Sequence, residues 1–386
     1  MVSSLDRARR LPGRLRRGSW WAPVAASLGL LLTACAFPGT VRPTVKVGLV
    51  APFEGRYRYV GYDVFYAVQL ALLEVNQEGG VGGRGVELVA YDDGADRDMA
   101  VEQARKVSVD PEVVAAIGHF REETTAAAAA TYAEKGVPLV AALPLNYRLE
   151  RDGETIYLVG PPTARLADAL LERVLRLAPE GDVVIVGDGG LLEQALLGVP
   201  GEGGGEGYLT IATDREGWDR DVLIREPAVL VCLLDPVAAA ELVVMLREEG
   251  WAGYVVGGPR LSAGDFVAVA GEAAVGATFV TPWAFPADVD GGDQFAAAYR
   301  GVSRGAEPGP LALSAYVATW ALLEALEQAI AERRVTREGV SAALSAAEQS
   351  GKLDRPMAKE GPTRDEWKVY WYRIGSDGVP VLLAEH

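Results

Sequence analysis

The feature that most constrains this chain is the stretch from Val113 to Ala142, VVAAIGHFREETTAAAAATYAEKGVPLVAA. An apolar run ends on Gly118, a polar loop follows, an alanine-rich helix returns the chain, and a second apolar run begins at Pro138. That pattern predicts strand, helix, strand. Parallel strands joined through a helix require a sheet with helices on its faces, and loops at the carboxyl ends of such strands face the crevice where ligands bind. Residues 118–125 are therefore expected to look into a site. Glu122, Glu123, Thr124 and Thr125 open the helix, where such side chains also suit the cap and the positive end of the dipole. A well-made helix start and a ligand contact both fit them.

The same alternation recurs along the chain. VKVGLV (45–50) predicts a first strand, the loop APFEGRYRYVGYD leads to a helix over 64–76, and VELVAYDD and residues 95–109 supply the next strand and helix. After residues 156–160 a second series runs through a helix (164–177), a strand (183–187), a weak segment (191–197) and a Gly/Glu loop (201–207). Strands at 208–212, 229–234, 254–257 and 277–281 follow, with helices at 237–249 and from Gly264. At 386 residues the chain is long for one core. A βα series met twice implies an α/β protein of two similar lobes, each with a doubly wound parallel sheet. Between Val186 and Val229 little offers a core, so the second lobe is expected to be short. Helices over 311–331 and about 336–347 and a strand pair turned by Ser376-Asp377-Gly378 close the chain.

Residues 1–34 read as an address. Arg7, Arg9, Arg10, Arg14, Arg16 and Arg17 precede an apolar run over 20–32, too short for a comfortable membrane span, and Leu32-Thr33-Ala34 precede Cys35. This is the pattern of a secretory signal peptide, and its end resembles the lipobox of bacterial lipoproteins, whose cysteine becomes the lipidated first residue. Residues 35–44 form a tether without pattern. Removing the leader takes six of the 37 basic and one of the 53 acidic residues, leaving 31 against 52, a net charge of −21. Such an acidic body argues against nucleic acid as partner. With Cys35 carrying the lipid, Cys232, in the apolar run VLVCLL, is the one free cysteine left and is expected to be a buried structural thiol.

Catalytic signals are weak. Gly80, Gly82 and Gly85 satisfy G-x-G-x-x-G, but they follow a helix and precede a strand, the wrong order for phosphate to meet a helix start. H-E-x-x-H, a Walker loop and a G-x-S-x-G elbow are all missing, and the only histidines are His119 and His386. No metal set and no cofactor are expected, and His119 is expected to position its neighbours by hydrogen bonds rather than to catalyse. An enzyme is the weakest reading.

VKVGLVAPFEG, EVNQEGGVGGRGVELVAYDD, AVEQARKV, VVAAIGH, YAEKGVPLV and AGEAAVGATFVTPW, in that order, resemble the branched-chain amino-acid class of periplasmic solute-binding proteins. The match runs over nearly all of the chain beyond the leader. It implies two doubly wound lobes joined by three chain crossings and closing on a solute, without covalent chemistry. Lobe one would hold residues 44–160 and 286–360, and lobe two 161–285 and 361–386. It further implies an exported protein, lipid-anchored through Cys35 at the outer face of the cytoplasmic membrane, with an ABC permease as partner.

Amino-acid binders of that class hold the carboxylate with serine and threonine on loops of lobe one, and the ammonium with an acid and aromatics in lobe two. Here Glu122 stands where the first hydroxyl belongs, Thr125 keeps the later threonine, and Leu143 and Asn146 (LPLN) replace small and hydroxyl residues. Arg260 occupies the place of the acid, and Leu192 and Asp235 fall near positions of aromatics. Three readings stay open. Arg260 takes an anionic group of the solute while Glu122 or Glu123 takes a donor or cation; Glu122 and Arg260 pair across the cleft; or both face solvent. Tyr57, Tyr59, Trp283 and Tyr316 are aromatic candidates for the pocket wall. Core packing is equally open for Trp283 and is the alternative for Tyr316. His119, Thr124 and Asp188 complete the candidate set. These departures from the class's pattern lead to the expectation of a small polar or amphipathic solute rather than leucine, isoleucine or valine. A ligand-sensing or assembly protein that reuses the fold is the reading of another class.

Overall fold

The computed structural model describes residues 42–143, 155–179, 182–198, 208–213, 217–350, 353 and 368–384. The leader, Cys35, Asn146 and the Gly/Glu loop lie outside the described residues.

The first lobe opens with β1 (Thr44–Ala51), one 3-10 turn (Gly55–Tyr57) and α1 (Arg58–Gln77). It continues with β2 (Gly85–Asp92), α2 (Arg97–Val109), β3 (Val113–Gly118), α3 (Glu122–Lys135), β4 (Leu139–Ala141) and β5 (Ile156–Leu158). These five strands pair in the order β2-β1-β3-β4-β5, all parallel. Every residue of β3 is buried, the mark of a strand covered on both faces. α1 begins at Arg58, six residues before its apolar period predicts. Gly61 and Asp63 read as loop residues in sequence. In the fold, however, a β-carbon at Gly61 would meet the Pro52 carbonyl oxygen at 2.1 Å, and Asp63 is a buried acceptor for a distant loop.

The chain then passes to the second lobe through α4 (Thr163–Leu177), β6 (Val183–Gly187), α5 (Leu191–Gly198) and β7 (Tyr208–Ala212). α6 (Trp218–Arg225), β8 (Val229–Leu233), α7 (Pro236–Glu248), β9 (Tyr254–Gly257), α8 (Gly264–Ala270) and β10 (Thr278–Thr281) follow. It returns to the first lobe for α9 (Gly292–Val302), α10 (Ala312–Ala331) and α11 (Arg337–Gln349), and ends in β11 (Tyr370–Ile374) and β12 (Pro380–Leu382). The second sheet has the order β12-β11-β10-β9-β8-β6-β7; β11 is antiparallel to both of its neighbours, and the remaining pairs are parallel.

Both sheets carry apolar layers on two faces. In the first lobe Leu49 and Ile117 pack toward Leu322 and Leu326 of α10, while Val50 and Ala116 pack toward Val107 and Tyr132 of α2 and α3. In the second, Cys232 and Phe279 face Leu246 of α7 and Phe266 of α8, and Val231 and Val280 face Leu166 and Leu170 of α4. Each such buried side chain contributes about 1.5–3 kcal/mol. Cys232 is a buried free thiol, its pKa pushed up to about 12 by burial. α10, buried along 13 of its 20 residues, is the central helix of the first lobe.

The expectation that residues 186–229 lack core needs correction. α6 places Val222 fully inside the second core, beside Trp218 and Leu223. Its charged run Asp219, Arg220, Asp221 hides the apolar spacing. α9 was likewise unmarked in the sequence, although Phe295 and Tyr299, one turn apart, are both buried. No helix among the described residues is long and apolar enough to cross a membrane.

Candidate functional site

β1 lies between β2 and β3, and β6 between β7 and β8, so each lobe has a point where successive connections leave in opposite directions. Ligand crevices form at such points, outside the carboxyl ends of the strands. The loops after β1, β3, β6, β8 and β9 accordingly carry the candidate residues. They meet around a cavity of 190 Å³.

Arg260 is the charged centre of that cavity. It sits in the turn after β9, where a 3-10 segment opening on Pro259 presents its side chain between the lobes. The guanidinium bonds Glu123 of the first lobe at 3.0 Å and forms an ion pair with Asp188 of its own lobe. Burial works against this charge, yet Asp188 and Glu123 together raise its pKa above the ordinary arginine value. Of the three readings of the charged pair, the one in which both side chains simply face solvent does not match the structure, since Arg260 is paired with Glu123 and Asp188 and Glu122 accepts from the Leu191 N–H. The cross-lobe partner is Glu123 rather than Glu122, one residue away from the pair named in one of those readings.

Glu122 bridges the lobes differently. Its Oε1 accepts the backbone N–H of Leu191, at the start of α5, at 2.5 Å. Burial pushes its carboxyl up to about 7, with Glu123 and Asp188 adding repulsion against the Leu191 N–H and Arg260. A third bridge joins the loops after β1 and β8. Tyr57 Oη donates to Asp235 Oδ2 at 2.6 Å, and Arg56 pairs with the same carboxylate. Asp235 caps α7 through the Val237 N–H at 3.2 Å, with Pro236 at the first helical position. Although burial opposes its charge, the bonds from Arg56, Tyr57 and Val237 hold its pKa below the usual range. Tyr57 also stacks under Arg121, whose guanidinium carbon lies 3.8 Å from the ring centroid. Tyr57 and Asp235 thus brace the lobes and are not in the cavity wall.

The other candidates divide. Tyr59, Leu143 and Trp283 line the cavity, and burial pushes the Tyr59 phenol up to about 12. Thr124 and Thr125 turn their hydroxyls back to donate to the Arg121 carbonyl, at 3.1 and 2.7 Å, and do not reach it. His119 is buried behind the wall, with Nδ1 2.8 Å from Asp93 and Nε2 3.1 Å from the Tyr132 hydroxyl. The loop it anchors carries Glu122 and Glu123. Tyr316 is part of the first lobe's packing, edge-on to Phe295 and donating to Glu74 at 2.6 Å. Among the described residues no group of three or more His, Cys, Asp or Glu side chains is placed to hold a metal.

Sequence reasoning missed several wall residues. Phe120 is buried at a left-handed φ of 65°, a conformation costly for a bulky side chain and concentrated at functional sites. Thr163 and Leu166 come from the first turn of α4, and Pro310 and Leu311 from the loop before α10. Glu193 closes the β6–α5 turn by accepting the Gly189 N–H at 2.7 Å. The signal for the α4 residues was available, because Pro161-Pro162-Thr163 marks a helix start at a lobe crossing.

The family profile described as "Periplasmic binding protein" matches residues 44–196 and 224–365. A Leu/Ile/Val-binding protein homolog 2 of Brucella abortus is 33% identical over 111 residues, 29% of this chain and 30% of that protein. The Leu/Ile/Val-binding protein of Escherichia coli is 30% identical over 96 residues, 25% of this chain and 26% of that protein. These matches span less than a third of the curated relatives' lengths. A leucine binding protein LivK from Thermotoga maritima superposes with a TM-score of 0.75 at 20% identity, covering 88% of this chain and 98% of that one. The branched-chain amino acid transporter substrate binding protein LivJ from Streptococcus pneumoniae, in complex with isoleucine, gives 0.73 at 18% identity, covering 88% and 99%. At such identities the likeness is one of fold.

Proposed function

The chain belongs to the periplasmic binding protein family, and from that premise we propose that it captures a small polar or amphipathic solute between two lobes. The lobes are residues 44–160 with 286–360 and 161–285 with 361–386. They deliver the solute unchanged to an ABC importer of the branched-chain amino-acid class. The protein works outside the cytoplasm, held to the membrane by a lipid on Cys35 of the lipobox-like Leu32-Thr33-Ala34-Cys35. Its relatives named for leucine, isoleucine and valine support the class of importer.

The observation that carries this reading is the cavity between the lobes, roofed by loops from the carboxyl ends of strands in both sheets. Its wall combines apolar side chains such as Leu143, Leu192 and Trp283 with the charged Arg260, Glu122, Glu123 and Asp188. A solute with an apolar body and a polar group matches that combination. A free amino acid held in the usual way needs an unopposed acid in the second lobe for its ammonium. Here Asp188 is already paired with Arg260, which favours solutes other than branched-chain amino acids.

The test is a thermal-shift screen of the full-length chain against amino acids, amides, short-chain acids, polyamines and nucleobases. A true solute at a hundredfold excess over its Kd adds about 2.7 kcal/mol of stability. Arg260→Ala should abolish the shift. A shift with leucine or valine that survives Arg260→Ala returns the protein to the branched-chain amino acids.

A further inference from the structure

α1 buries most of its surface in the first lobe and leaves one stripe outside. Its exposed or half-buried positions Tyr62, Tyr66, Gln69, Leu73 and Gln77 recur at the spacing of a single helix face. None of them is charged. The two carboxylates of the helix are engaged elsewhere: Asp63 is buried and accepts the Gly309 and Leu311 N–H groups, and Glu74 accepts the Tyr316 hydroxyl at 2.6 Å. α2, on the opposite face of the same sheet, exposes Arg97, Asp98, Glu102, Arg105 and Lys106 instead. In a chain of net charge −16, an aromatic and neutral stripe along a 20-residue helix is a feature that core packing does not explain.

Rings stiffen this stripe. Tyr62 and Tyr66 stack with centroids 6.3 Å apart, and Tyr62 also meets the Phe53 ring edge-on at 6.2 Å. The run of rings continues from Tyr66 through Tyr299 and Phe295 to Tyr316 and Trp320 of α10. Tyrosine, with an apolar ring and a wet hydroxyl, belongs to the headgroup zone of a bilayer, and a stripe without carboxylates escapes the repulsion that anionic lipids exert on an acidic body. The entry of the chain into the fold points the same way. The Gly85 N–H donates to the Pro43 carbonyl at 3.0 Å, and a β-carbon at Gly85 would lie 3.5 Å from Thr44 and 3.9 Å from Asn76, the second-last residue of α1. β1 therefore begins beside the carboxyl end of α1, one turn from Leu73. Nine positions separate Cys35 from Thr44, a reach of at most about 30 Å, and α1 is itself about 30 Å long. A lipid on Cys35 is thus within reach of every part of the stripe.

We propose that the exposed stripe of α1 is a membrane-resting surface, in which Tyr62, Tyr66 and Leu73 enter the headgroup zone of the bilayer that holds the lipid of Cys35. The occupant is a lipid surface, and the first lobe lies against it along one helix. The inference rests on the lipid-anchor reading above and adds an orientation to it: α1 faces the bilayer and α2 faces away.

The experiment uses the full-length chain, purified from bacterial membranes and reconstituted on phosphatidylcholine vesicles. Intact mass first reads whether Cys35 carries a lipid. An environment-sensitive dye is then attached at Gln69→Cys, in the stripe, or at Arg105→Cys, on α2; Cys232 is buried and does not compete for it. On vesicles the dye at 69 should shift to the blue and be quenched by lipids brominated beside the headgroup, and the dye at 105 should do neither. Leu73→Glu with Gln77→Glu, at two exposed positions, should abolish both responses at 69 and leave the melting temperature in place. Leu73→Trp should strengthen them. A lipidated chain whose dye at 69 stays silent overturns the resting surface and leaves the anchor standing. Equal responses at 69 and 105 overturn it as well, since the bilayer then selects no face. A response at 69 that grows with the density of protein on the vesicle, with energy transfer between copies, assigns the stripe to a second copy of the chain and overturns the proposal. A chain without lipid on Cys35 overturns the anchor and this inference together.

Discussion

The Glu123 carboxylate of the first lobe and the Arg260 guanidinium of the second lie 3.0 Å apart, and Asp188 flanks the guanidinium on its other side. Side-chain exposures of 33% and 27% place this pair between a surface and a buried bridge. Solvent therefore screens much of its attraction. In a cycle of Glu123→Gln and Arg260→Gln read by urea denaturation, we expect a coupling of about 0.5–1 kcal/mol at low salt. It should shrink at 0.5 M salt as the Debye length falls. Zero coupling at low salt would remove the bridge as a closing element. Arg260→Gln alone should cost more than Glu123→Gln alone, because it leaves two carboxylates facing each other.

Glu122 sets a pH dependence of defined sign. Its carboxyl titrates near 4.5 when free and is pushed up to about 7 in the fold by burial. Between those values the folded state binds more protons than the unfolded one, so stability falls as pH rises through that window. The chain should be more stable at pH 5 than at pH 7.5 by about 1–2 kcal/mol, a figure reduced for the partial solvent access of this side chain. Glu122→Gln should flatten the upper part of the profile, between pH 6 and 7. A variant that keeps the full slope there would assign it to another group.

How far the site was legible in sequence follows from the reach of each interaction. Strand and helix periods repeat every few residues, so the alternation that builds both sheets is written locally and could be read. Glu122, Glu123 and Arg260 were found because a strand end followed by a helix start marks a crevice whatever the partner is. Which of the two glutamates meets Arg260 stayed open, because the bond spans 137 positions and depends on the turn of Arg121 into α3. Thr124 and Thr125 looked like ligand contacts. Nothing local distinguishes a hydroxyl facing a cavity from one folded back onto Arg121. α6 escaped for the opposite reason: its apolar signal is one residue deep and acquires meaning only against distant strands.

Asp63 ties α1 to the loop that precedes α10. Its carboxylate accepts the N–H groups of Gly309 at 2.7 Å and Leu311 at 2.9 Å, and Pro310 and Leu311 line the cavity. Asp63→Ala leaves those donors buried without a partner and should cost about 2–4 kcal/mol in urea denaturation. Solute affinity should fall as well, since the wall loses its anchor. Asp63→Asn keeps an acceptor oxygen and should recover part of both losses. Because burial pushes the Asp63 carboxyl up to about 6, the asparagine variant should also flatten the stability profile between about pH 4 and 6, a window that overlaps the lower part of that of Glu122. Equal effects of alanine and asparagine would show that packing, not hydrogen bonding, holds the loop.

Gly160 and Trp283 meet where the chain first crosses between lobes, and two separate costs predict what an alanine does there. Gly160 adopts a φ of 112°, a conformation that any L side chain resists, worth about 1–2 kcal/mol. An added β-carbon would also lie 3.0–3.2 Å from three indole atoms of Trp283, Nε1, Cζ2 and Cε2, which must then shift. Gly160→Ala should therefore lose about 2–3 kcal/mol of stability and change the Trp283 emission as the ring moves. Phenylalanine at 283 lacks the indole's five-membered ring, so Gly160→Ala in a Trp283→Phe background should cost only the backbone part. A smaller loss in that background separates the two costs. An equal loss in both backgrounds would assign all of it to the backbone and leave Trp283 free to turn toward a solute without constraint from the crossing.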